Sequence, residues 1–141
     1  MSATGNSEAG YTLIETLVVM GLVALITAIS FPVLERLMAQ ASFRESAAIV
    51  VAELRVAHAA ALHASVPVTF NVAAEGDRFG INNNLTHALP DGVTIRMQGS
   101  SETLFFPDGS SSGGVIMLTG AQREMRLRID EVTGQLSGLQ P

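Results

Sequence analysis

The chain has no cysteine, no tryptophan and no lysine, and a single tyrosine. Without cysteine there is no disulfide, so a domain outside the cytoplasm must stand on packing alone. Without lysine there is no Gly-x-x-x-x-Gly-Lys phosphate loop, and Asp108-Gly109-Ser110 reads as a turn followed by a flexible hairpin loop. Basic residues are outnumbered, 8 against 13 acidic ones, for a formal net charge of −5. That balance argues against a generic nucleic-acid or anionic-membrane surface. The most consequential absence is local: no Lys, Arg, Asp or Glu occurs between Glu15 and Glu35.

An uncharged apolar run of roughly 18 residues or more is long enough to cross a bilayer as a helix. Glu15 falls within the first turn or so of that helix. A membrane-buried carboxylate costs on the order of 2.5–3.5 kcal/mol, so such a residue calls for a partner and a purpose. Charge does not set the orientation of the span. The preceding residues carry Glu8 and no Lys or Arg, while Arg36 and Arg44 follow the run, so the positive-inside signal is absent or reversed.

Beyond the run the pattern is that of an amphipathic helix continuing to about residue 65. Leu34, Leu37, Met38 and Ala41, then Ala47, Val50, Val51, Leu54, Ala57, Ala61 and Leu62, recur mostly three and four apart, with Glu35, Arg36, Arg44, Glu45, Glu53 and Arg55 between them. A continuous helix over 11–65 would be about 80 Å long at about 1.5 Å per residue. Pro32 removes one internal hydrogen bond and is a candidate bend. Val66-Pro67 is a natural stop, because the residue before proline avoids helical geometry.

After Pro67 the period becomes 2. Val66, Val68, Phe70 and Val72, then Val93, Ile95 and Met97, then Met125, Leu127 and Ile129, alternate with polar neighbours. Leu104-Phe105-Phe106 and Val115-Ile116-Met117-Leu118 are continuous runs that predict further buried strands. Turn signals stand at Glu75-Gly76-Asp77, Asn82-Asn83-Asn84, Pro90-Asp91-Gly92, Pro107-Asp108-Gly109 and Thr133-Gly134. The expectation is an α+β chain. A long helix packs on a mostly antiparallel sheet of about six or seven short strands, as one small domain.

Gly10-Tyr11-Thr12-Leu13-Ile14-Glu15, opening directly into the apolar run, resembles the N-terminus of a type IV pilin-like precursor. The resemblance implies a leader over 1–10, cut between Gly10 and Tyr11 by a prepilin peptidase that also N-methylates Tyr11. It implies a membrane and fibre-core helix over 11–34, an amphipathic continuation over 35–65 and a β-rich periplasmic domain over 66–141. Glu15 becomes the assembly carboxylate, able to pair with a neighbouring subunit's terminal amine, and Pro32 the helix-kinking proline. Tyr11 departs mildly from the usual Phe, and the leader departs by lacking basic residues.

Three further strings narrow the resemblance to the H-type minor pseudopilins of type II secretion, a group that includes related minor pilins of type IV pili. They are Leu54-Arg55-Val56-Ala57-His58-Ala59-Ala60-Ala61, then Phe106-Pro107-Asp108-Gly109-Ser110-Ser111-Ser112-Gly113-Gly114, then Ile129-Asp130 leading to Thr133-Gly134-Gln135-Leu136. The implied partners are major and minor pseudopilins, the peptidase, the inner membrane and secreted cargo. The loop of Ser110, Ser111, Ser112, Gly113 and Gly114 is a candidate interaction surface. The alternatives are a minor pilin of a type IV pilus, with a role in DNA uptake, and a membrane-anchored periplasmic binding domain.

Other chemistry finds little support. His58 and His63 are five apart and do not share a helix face, and His87 falls in a predicted loop, so no metal site and no cofactor is expected. Asp77, Asp91 and Asp108 lack the alternating ligand pattern of a calcium loop. Arg123, Arg126 and Arg128 form a basic cluster on a predicted strand, but Glu124, Asp130 and Glu131 lie among them, which reads as a solvated face rather than a DNA site. No constellation suggests an enzyme.

Overall fold

Thr12 caps the first element. In the computed structural model, which describes residues 12–139, Thr12 Oγ1 accepts the Glu15 N–H at 3.3 Å. This satisfies one of the donors a helix start leaves unpaired. Helix α1 then runs Leu13–Ala64, with Pro32 inside it. It stops where the sequence predicts: Ser65 takes a left-handed φ of 55°, and Pro67 follows.

The chain divides into two units, the first ending at Leu37 and the second beginning at Met38. In the first, the described residues are helical from Leu13 on, and the large apolar side chains are exposed all round. In the second, α1 buries one stripe: Phe43, Ser46, Val50, Leu54, Ala57 and Ala61. The spacing of three and four along that stripe is what a helix needs to present one face to a core.

Eight strands complete the second unit: β1 (Val68–Val72), β2 (Arg78–Ile81), β3 (Asn84–Ala88), β4 (Thr94–Gln98), β5 (Glu102–Phe105), β6 (Gly114–Gly120), β7 (Arg123–Ile129) and β8 (Leu136–Leu139). They form two four-stranded sheets, ordered β3-β2-β1-β5 and β4-β6-β7-β8, and every pairing is antiparallel. One hydrophobic core joins the helix stripe to Val68, Phe70, Phe79, Ile95, Phe105, Ile116, Leu118, Leu127 and Ile129. The predicted alternations in β1, β4 and β7 therefore point inward as expected, except at Val66, which precedes β1 and is exposed.

The architecture is α+β, a long helix followed by antiparallel sheet, but the strand count and the single sheet differ from expectation. The unforeseen hairpin is β2–β3. Its strands are short, and the register shifts between Phe79 and Ile81, where a Cβ on Gly80 would sit 1.9 Å from the Asn84 carbonyl oxygen. Glycine is required at that bulge. Asn82 and Asn83, with φ of 51° and 64°, make the two-residue hairpin turn. His87, expected in a loop, lies in β3. Its ring stacks on Phe79 at 5.3 Å, and Nε2 is 3.3 Å from Glu53 Oε2 on α1.

Candidate assembly segment and the meeting of three motifs

Glu15 occupies the first turn of α1, where a carboxylate is favoured by the helix dipole. Thr12-Leu13-Ile14-Glu15 has the spacing of a capping box, so Thr12 and Glu15 help define where the helix starts. Gly10 and Tyr11 lie outside the described residues. Past Glu15, an 18-residue window of the helix has a mean hydropathy of 2.5 and none of it is buried. The segment is long and apolar enough to cross a membrane. Pro32 stands within it, with helix on both sides.

In the second unit, the three strings that carry the narrower resemblance come together at one point. His58 Nε2 donates to the Gly109 carbonyl at 3.1 Å, across 51 residues of chain, while its ring packs on Phe105 at 5.5 Å. Gly134 completes the group. It holds a φ of +61°, and a Cβ there would lie 2.7 Å from the Gly109 oxygen and 2.8 Å from His58 Nε2. A histidine on the helix thus ties down the β5–β6 and β7–β8 connections together, and only a residue without a side chain fits between them.

Each connection is also braced internally. Asp108 Oδ1 accepts from the Ser110 N–H at 2.9 Å and the Ser110 hydroxyl at 2.6 Å, and these bonds, the hydroxyl's foremost, hold its carboxyl below the ordinary range. Asp130 Oδ1 accepts from the Thr133 N–H at 2.9 Å, the Thr133 hydroxyl at 3.0 Å and the Val132 N–H at 3.0 Å, and its carboxyl is lowered chiefly by the Thr133 bonds. These are built turns, with the aspartates ionised and accepting.

The segment Ser110–Gly114 is not the free hairpin loop the sequence suggests. Ser111 and Gly113 are buried, the Ser111 hydroxyl donates to the Asp130 carbonyl at 2.9 Å and its N–H to the Glu131 carbonyl at 2.9 Å. Ser112 exchanges bonds with Leu104 in both directions, at 2.9 and 3.0 Å. Thr103, fully buried, donates to the Gly113 carbonyl at 3.3 Å. Ser112 alone of the five is exposed, while Ser110 and Gly114 are half-buried. Among the described residues no three His, Asp or Glu side chains converge as metal ligands would.

Residues 5–31 match the prokaryotic N-terminal methylation motif. The chain carries that motif on a pilin-like fold. The fold is similar to that of the type IV minor pilin FimU of Pseudomonas aeruginosa, at 14% identity and a TM-score of 0.54, covering 74% of this chain and 90% of that one. It is similar also to the minor pseudopilin EpsH from the type 2 secretion system of Vibrio cholerae, at 14% identity and a TM-score of 0.56, covering 70% of this chain and 96% of that one. No curated protein sequence matches significantly. The pilin-like likeness rests on the motif and the fold, and it is shared by a pilus subunit and a secretion subunit alike.

Proposed function

We propose that the chain is a minor pseudopilin of a type II secretion pseudopilus, a structural subunit rather than an enzyme. It is made as a precursor, cut between Gly10 and Tyr11 by a prepilin peptidase and N-methylated at Tyr11. The apolar helix crosses the inner membrane once, with the second unit in the periplasm, and then enters the pseudopilus beside major and minor pseudopilins. The fibre helps move folded cargo across the outer membrane. Pro32 lets the helix bend as it leaves lipid for the fibre core, and Ser112 with its neighbours faces other subunits or cargo.

One observation carries this reading. Glu15 is a single carboxylate in the first turn of a helix whose next residues are apolar and exposed. A charge so placed is costly in lipid or in a packed fibre unless it is neutralised. The free amine created at Tyr11 by cleavage is the cation that can do so. A subunit out of axial register leaves both charges unpaired, so the pair sets register.

The test compares Glu15→Leu with Glu15→Gln in cells that carry the secretion machinery. Both variants should be cut and membrane-bound, both should be missing from sheared fibres, and secretion should fall. Normal incorporation of the Leu variant would remove Glu15 from assembly. The likeness to FimU favours a second reading, a minor pilin of a type IV pilus. Deleting the gene separates the two: secretion lost with pili intact supports the first, and pili lost with secretion intact supports the second.

A further inference from the structure

The β4-β6-β7-β8 sheet has one face in the core and one facing out, and register decides which cations share the outer face. Arg96 of β4 lies opposite Met117 of β6, Met117 lies opposite Arg126 of β7, and Arg126 lies opposite Leu139 of β8. In the adjacent row Gln98, Val115, Arg128 and Ser137 stand side by side. Residues directly opposite one another in antiparallel strands project to the same side. Arg96, Arg126 and Arg128 therefore form one exposed group around the half-buried Val115 and Met117.

This group differs from the one the sequence suggests. Arg123 shares the inward parity of Leu127 and Ile129 and drops out, and Arg96, from a strand far away in sequence, takes its place. Neighbouring strands are about 4.8 Å apart, so Arg96 and Arg126 are separated by roughly 10 Å across Met117. Arg126 and Arg128 are roughly 7 Å apart along β7. Three acids come near: Glu124, which bridges Arg126; Asp130, just past the end of β7, which feels Arg128; and Glu131, which lines the same hollow as Arg128 and Val115. Arg96 has no acid on either row.

We propose that this face docks an acidic extended segment of another protein, its carboxylates on the guanidinium groups and an apolar side chain on Val115 and Met117. Guanidinium forks match carboxylates in a bidentate geometry, which makes arginine suited to this contact. Phosphate would satisfy the same forks, but nucleic acid fits the face less well. Neither row carries an aromatic ring on which a base could stack. Glu124 sits on the face, and the whole chain is acidic, at −5. That wider field opposes any anion but weighs most against the dense, continuous charge of a phosphate backbone, and less against a segment whose few acids alternate with apolar residues. The apolar centre, by contrast, has a use only for a partner with apolar side chains between its acids.

The test uses the full chain in nonionic detergent micelles, labelled at the methionine methyls. The probe is a synthetic peptide of alternating Glu and Val, and its control replaces each Glu by Gln. The acidic peptide should move the Met117 methyl signal saturably and lose affinity with added salt, while the Gln peptide leaves it in place. Arg96→Gln and Arg128→Gln should each weaken binding by about three- to tenfold, as truncated charge pairs at interfaces do. Arg123→Gln should leave it unchanged. Equal binding of both peptides, or an Arg123→Gln loss as large as that of Arg96→Gln, would overturn the proposal. So would displacement of the acidic peptide by an equal concentration of a DNA oligonucleotide. A Met117 shift that follows protein concentration without peptide would instead assign the face to a second copy, which also overturns it.

Discussion

Along the first part of α1, Ile14, Met20, Ile29 and Phe31 stand 59% to 71% exposed, whereas along its later part Val50, Leu54, Ala57 and Ala61 are fully buried. The residue types are alike; the surroundings differ. After Met38 the chain supplies its own partner, two antiparallel sheets that close over one stripe of the helix. Between Leu13 and Leu37, among the described residues, it supplies none, and burying apolar surface gains about 25 cal/mol per Å², so that segment is suited to an apolar environment from outside. Under the proposed function, the lone carboxylate at the head of that segment is the point where the outside partner answers in charge as well as in packing.

The sharpest way to break this contrast is a matched pair of truncations. Phe70→Ala empties a fully buried site beside Phe79 and should destabilise the second unit by about 3–5 kcal/mol. Leu22→Ala, at a 55% exposed position, should change the same unfolding free energy by less than about 0.5 kcal/mol. Hydrogen exchange of the strand amides, on the full chain in detergent, reads both. Comparable losses would mean that the two units are not independent in stability.

Gly134→Ala should come next, at about 1–3 kcal/mol, because the new methyl would enter the space between the Gly109 oxygen and the His58 ring. Faster exchange should appear around Phe106–Gly109 and at the β7–β8 connection. His58→Phe should cost about 1 kcal/mol through the lost donor alone.

A change in the opposite direction is available at the β6–β7 hairpin. Ala121 and Gln122 hold φ of 50° and 59° in its two-residue turn, a conformation disfavoured by roughly 1–2 kcal/mol for ordinary L residues. Ala121→Asn with Gln122→Gly should raise stability by about 1 kcal/mol. Unchanged stability would show that the strain is taken up elsewhere.

The smallest effect is with pH. Asp108 and Asp130 are both held below the ordinary aspartate range, so their stabilising contribution is fully present above about pH 4, the unfolded value. It is lost as pH falls further and each carboxyl takes up a proton. Asp108→Asn with Asp130→Asn should flatten the acid limb of the stability curve, by lowering stability at neutral pH, where the carboxylates contribute, and leaving it nearly unchanged at low pH, where they are already protonated.

Much of this organisation was legible in the residues. The gap in charge from Glu15 to Glu35 marks the apolar helix, and strict alternation marks β1, β4 and β7, because pleating and burial act within a few residues. The β2–β3 hairpin escaped for local reasons: Asn82-Asn83-Asn84 reads correctly as a turn, but Gly80 breaks the alternation before it, and the short polar run Asn84–Ala88 after it carries no buried alternation to mark a strand. The meeting of His58, Gly109 and Gly134 could not be read at all, since it depends on which loops fold over which turn of the helix. Arg96 joins Arg126 only through register across β6. The exclusion of Arg123 was readable, however, by counting parity back from Leu127 and Ile129.

The most direct measurement of the central claim is the mass of the N-terminal peptide of the full chain extracted from membranes of cells with an active prepilin peptidase. The account predicts a peptide that begins at Tyr11 and carries one added methyl group. A peptide that still contains residues 1–10 would contradict it and leave Glu15 without the cation it is proposed to meet.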